Sequence, residues 1–131
     1  MSAVNPWAVV AATAAAFVIS LGWYALVAAA PVAVDGGETP ASASPPAWKL
    51  LVEVARSLVV AIVLAVLAAQ LDVGGITGAL LIGVVAWVGF PVVLLAGSVL
   101  WEGVPASRAA VHAGDWLVKL LAVAVIVSLW R

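Results

Sequence analysis

Residues 101–131 read WEGVPASRAAVHAGDWLVKLLAVAVIVSLWR. The second half, 120–130, is almost purely apolar, whereas the first half carries Glu102, Arg108, His112, Asp115 and Lys119. After a turn containing Gly103 and Pro105, the pattern predicts a helix over 107–130 with Ser107 as its N-cap. About 20 helical residues cross a hydrocarbon core of about 30 Å. The segment therefore reads as a membrane-crossing helix with one polar end. Arg108, His112, Asp115 and Lys119 are spaced 4, 3 and 4. At about 100° per residue they form a stripe about 60° wide, with Trp116 beside it. Asp115 falls about one turn inside the apolar boundary and Lys119 a turn deeper, where its stem can snorkel back.

The same arithmetic extends to the rest of the chain. Of its 131 residues, 67% are hydrophobic and 8% charged, against about half and about a quarter in an average soluble domain. Apolar runs predict three more helices, over 7–30, 48–70 and 76–100. A β-barrel would alternate with period 2, and these runs do not. The expected fold class is therefore all-α, one membrane domain of four transmembrane helices in an up-down bundle. Asn5 and Pro6 supply an N-cap and a first-turn proline for the first helix. Ala28, Ala29 and Ala30 imitate a signal-peptide cleavage site, but no Lys or Arg precedes the run and Pro31 follows it. The segment is read as a retained helix.

Residues 31–47 read PVAVDGGETPASASPPA, a flexible Pro/Gly/Ser-rich loop. In the second segment Glu53 and Arg56 are three apart and share a helix face. Asp72, Gly74 and Gly75 make a turn so short that the second and third segments are expected to be antiparallel neighbours. The third segment has no charge. Pro91 lies in its middle and cannot donate to the Trp87 carbonyl, which predicts a kink there.

Four crossings put both termini on one side. Lys49, Arg56, Arg108 and Lys119 lie on the other, against Arg131 on the terminal side. Lys and Arg favour the cytoplasm, so both termini are expected outside the cell membrane. Trp7 and Trp130 mark one interface; Tyr24, Trp48, Trp101 and Trp116 mark the other. Trp87 fits neither and is expected inside the bundle or facing lipid.

The second and fourth segments share the loop side, so Glu53 and Arg56 can meet the stripe. The candidate cluster of Glu53, Arg56, Glu102, Arg108, His112, Asp115 and Lys119 holds three acids and three bases besides the histidine. Three readings compete for it. The charges pair and pin helices together. They line a water-filled vestibule of a small transporter or channel-like protein. Or His112 and Asp115 form an acid/base or metal pair. The last is the weakest, because zinc takes at least three protein ligands and the chain has one His and no Cys. No catalytic or phosphate-binding motif is present, so no cofactor, no metal and no enzymatic activity are expected. The net charge is −1 without a basic block, which gives nothing to attract nucleic acid. The expected partners are the lipid bilayer and a second copy, through the small-residue pairs Ala11/Ala15 and Ala12/Ala16 of the first helix or the glycines of the third.

Gly22-Trp23-Tyr24, Gly89-Phe90, Trp101-Glu102-Gly103, Gly114 and Trp130 form a pattern over nearly the whole chain. It resembles a bacterial and fungal membrane-protein family catalogued only as domain of unknown function 1761. The resemblance implies four membrane helices and brings no catalytic residues. His112 stands where an Asn is more usual and Asp115 where an aromatic is more usual. A Lys and a Trp that often follow the Trp-Tyr pair are missing. A polar site on His112 and Asp115 would thus be particular to this chain.

Overall fold

Asn5 starts the first helix as its sequence implies. Its side-chain Oδ1 accepts the Trp7 N–H at 2.9 Å and its carbonyl accepts the Val9 N–H at 3.1 Å. The computed structural model describes residues 3–28 and 46–131. Within them are α1 (Pro6–Ala28), α2 (Ala47–Gln70), α3 (Gly75–Trp87), a π-helical turn (Val88–Val92), α4 (Val93–Trp101) and α5 (Ala106–Leu129). With α3 and α4 taken as one segment, four helices are long and apolar enough to cross a membrane. Most of the expected loop 31–47 lies outside the described residues.

Prolines set two of the helix starts. Pro46 precedes α2 and its carbonyl accepts the Lys49 and Leu50 N–H groups. Pro105, not Ser107, precedes α5, and its carbonyl accepts the Ala109 N–H at 3.1 Å. This corrects the expected cap. The proline ring fixes φ and carries no N–H, so the chain turns into the helix at Ala106 and Ser107 falls inside the first turn. Pro91 is absorbed differently. It is buried within the π turn. A register of i→i+5 lets the carbonyl facing the proline nitrogen take a donor one residue further on.

α2 ends in a Schellman motif, in which the Val73 N–H bonds to the Ala68 carbonyl at 2.8 Å and the Asp72 N–H to Ala69 at 3.2 Å. The left-handed position of that motif is occupied by Asp72, at φ 51. Aspartate tolerates this region better than most residues but still less well than glycine. Asp72→Val is expected to cost about 1–2 kcal/mol in thermal unfolding in detergent. Asp72→Gly should be close to neutral, because relief of the backbone offsets loss of the Arg131 pair.

α5 is the hub. It packs against α1, α2 and α3, and α1 also packs on α2. α2 and α3, although joined by a short turn, do not pack along each other. The turn holds only their ends together, and α5 packs against both. Arg131 fastens the far end of α5 to that turn, donating to the Val73 carbonyl at 2.5 Å and lying 3.6 Å from Asp72 Oδ1.

On α1, α2 and α3 most of the buried contacts are made by small residues. Ala8, Ala12 and Ala16 of α1, Ala61, Ala65 and Ala68 of α2, and Ala79 and Gly83 of α3 are buried. A Cβ on Gly83 would sit 3.3 Å from the Leu120 carbonyl, so α3 approaches the α5 backbone directly. Large apolar side chains point outward instead, among them Val18, Leu51, Leu81, Phe90, Leu94 and Trp101. Small inside and large outside is unfavourable in water and costs nothing against lipid chains as apolar as leucine.

Candidate functional site

Asp115 is the centre of the polar end. It is 2% exposed, and three side chains converge on it. Lys119, one turn on along α5, places Nζ 3.0 Å from Asp115 Oδ2. Ser20 of α1 donates to Oδ1 at 2.9 Å. Tyr24, one turn on from Ser20, has its hydroxyl 3.5 Å from Oδ2 and 2.5 Å from His112 Nδ1. The 3.5 Å contact is long for an O–H···O bond, so in this arrangement the tyrosine is bonded to the histidine. Spacing of four on α1 and of three on α5 makes the match, because residues i, i+3 and i+4 share a face.

Lys119 is 8% exposed. Its ammonium points back toward Asp115 and also lies 3.9 Å from the Trp116 ring centroid, a cation–π contact. Trp116, placed by its sequence position among the interfacial aromatics, thus also partners the Lys119 charge, and Tyr24 partners His112. A buried charge needs every available partner.

Two indoles secure α5 from either side. Trp23 Nε1 donates to the Val111 carbonyl at 3.0 Å and Trp87 Nε1 to the Ala113 carbonyl at 2.8 Å. Each uses the second lone pair of a helical carbonyl. The Trp23 ring lies over Gly114, where an added Cβ would come within 2.5 Å of Cζ2. Only glycine fits beneath that ring.

The remaining expected residues divide. Glu53 and Arg56 form an ion pair with each other on α2, half in solvent. They meet the stripe only across a recess, lined also by Ala16, Ser57, Val60, Trp116 and Lys119. Its volume of about 10 Å³ holds about one water. Arg108 is half-buried in the first turn of α5. Glu102 is exposed beyond α4 and stays out of the network. Ser20 and Tyr24, absent from the expected cluster, supply its link to α1. Among the described residues no three His, Cys, Asp or Glu side chains come together as metal ligands would.

Past Lys119 the buried face of α5 is Leu120, Val123, Ala124 and Val127, followed by Ser128. From Lys119 to the helix end is about 15 Å at 1.5 Å per residue. The polar network thus opens toward one end and is closed by packed aliphatic side chains toward the other.

The residues that carried the family resemblance are partly explained by this geometry. Trp23, Tyr24 and Gly114 meet between α1 and α5, and Gly103 adopts φ +71 after α4, a conformation that favours glycine. No curated protein and no solved structure matches the chain. A family model, described as protein of unknown function (DUF1761), matches residues 7–128. With 122 of the 131 residues covered, the chain belongs to that family.

Proposed function

We propose that this is a non-catalytic integral membrane protein in which Asp115 clamps α1 to α5. The four helical segments run up and down across the cell membrane, with the ends of α1 and α5 that carry Trp7 and Arg131 outside. The observation that carries the clamp is the near-complete burial of Asp115 beneath Ser20, Tyr24 and Lys119. A buried carboxylate closed by protein donors is a structural element. The opposed run of α1 and α5 agrees with an up-down order, since Tyr24 near the end of α1 meets His112 near the start of α5.

One observation favours a second reading. The recess between Lys119 and the Glu53–Arg56 pair is polar and large enough for about one water, which is how a vestibule of a small transporter would begin. Proton or solute flux in proteoliposomes separates the two. The clamp reading expects no flux above empty liposomes across a panel of small ions and solutes. Flux that Asp115→Asn abolishes would replace it with transport.

A second copy is proposed as a partner through the third segment. Ala12, Ala16 and Gly83 are taken up inside the chain, whereas Gly89 and Gly97 have open space above them. Crosslinking from single cysteines at 89 and 97 in native membranes is expected to give dimers, and monomer alone would refute this.

A further inference from the structure

The chain has one tyrosine and one histidine, and the fold puts them in contact. The Tyr24 hydroxyl has a single hydrogen to donate and two acceptors beside it, His112 Nδ1 at 2.5 Å and Asp115 Oδ2 at 3.5 Å. Given to the nearer of the two acceptors, that hydrogen requires an unprotonated Nδ1 and leaves the ring's own hydrogen on Nε2. A second proton on the ring changes the geometry by necessity. Both nitrogens of an imidazolium are donors, so Nδ1 can no longer accept. The tyrosine oxygen becomes the acceptor and its hydrogen must find another partner. Asp115 Oδ2, at 3.5 Å, is the other acceptor beside it.

We propose that His112 and Tyr24 form a proton-operated switch, in which a proton taken up at Nδ1 turns the Tyr24 hydroxyl from His112 onto the buried carboxylate of Asp115. The proton is the ligand. His112 is half-buried at the polar end of α5, and Asp115 is the buried receiver of the signal. The charged and titratable groups around the pair are Arg108, Asp115 and Lys119 on α5, Tyr24 itself on α1, and Glu53 and Arg56 across the recess on α2. The segment formed by α3 and α4 contributes none, since residues 75–101 carry no charge. In the unprotonated state Asp115 is held by Ser20 and Lys119; in the protonated state it gains a third donor, also from α1. The switch therefore adjusts the grip between α1 and α5, and it rests on the reading of Asp115 as their clamp.

A chain with one histidine and one tyrosine gives single-site spectra. Protein labelled with ¹⁵N-histidine and ¹³Cζ-tyrosine in lipid nanodiscs is titrated with acid, and the ¹⁵N signals report directly when the ring takes up its second proton. The expected result is an unprotonated Nδ1 at the alkaline end, followed by a Tyr24 Cζ shift whose midpoint coincides with protonation of the ring. In His112→Gln the Tyr24 signal should be flat over the same range. A protonated Nδ1 at the alkaline end, or a Tyr24 signal that stays still while the ring titrates, would overturn the switch. Neither result touches the clamp, whose failure appears separately as stability indifferent to Asp115→Ala.

Discussion

Asp115→Ala is expected to destabilise the protein by about 3–5 kcal/mol, the cost of removing one partner from a buried ion pair. The reason lies in what remains. Lys119, 8% exposed, would keep its charge next to the Trp116 ring without the carboxylate that now pairs with it. Ser20 would lose its acceptor on α5 as well. Lys119→Met should cost less, because Ser20 still donates to Asp115 and no charge is left without a partner of its own. The paired replacement Asp115→Leu with Lys119→Met should recover most of the loss, since two apolar side chains in an apolar interior leave nothing unpaired. Equilibrium unfolding in mixed micelles reads all four proteins. A double variant as unstable as Asp115→Ala would mean that the site is held for something other than mutual pairing.

Gly114→Ala is expected to have the second largest effect. The new methyl would lie 2.5 Å from Cζ2 and 2.8 Å from Cη2 of Trp23, inside any permitted contact. The indole cannot bend, so either the ring leaves the Val111 carbonyl or α1 moves off α5. Overpacking of this kind costs about 1–3 kcal/mol, and loss of the Trp23 hydrogen bond adds about 1 kcal/mol. The test is a double-mutant cycle with Trp23→Leu. Because the two changes act on one contact, the combined variant should be more stable than the sum of the singles by at least about 1 kcal/mol. Additive effects would show that the ring does not rest on Gly114.

These two sites also show which parts of the fold could be read in advance. The four long apolar segments were legible because each is a run of the length that lipid demands, and the start at Asn5-Pro6 because a side-chain cap is a local device. The position of α5 at the centre was not. It is set by which faces are lined with alanine and glycine, and Ala12, Ala61, Ala68 and Gly83 look alike in sequence whether they face a neighbour or lipid. The short turn at Asp72 suggested that α2 and α3 lie side by side, yet a turn constrains only the ends it joins.

The polar site was half legible. Charges in an apolar helix stand out, so Asp115, Lys119 and His112 could be picked from spacing alone. Ser20 could not, because a single hydroxyl in an apolar run commonly bonds its own helix, and Tyr24 was read as an interfacial aromatic. A signal was present nonetheless. Ser20 and Tyr24 continue the four-residue spacing of Ala8, Ala12 and Ala16, which is the face α1 turns inward. Glu102 was drawn into the cluster by nearness in sequence, whereas the Gly103 turn leaves it in the open.

The most direct test of the clamp uses the absence of cysteine from the chain. Ser20→Cys and Ser57→Cys are small changes that place a thiol beside Asp115 and in the recess, and Lys49→Cys serves as the exposed reference. Each protein is treated in native membranes with a membrane-impermeant thiol reagent. The account predicts that position 49 labels rapidly while 20 and 57 label only after denaturation. Labelling of 20 and 57 as fast as 49 would contradict it, by showing water around a carboxylate that the clamp requires to be closed.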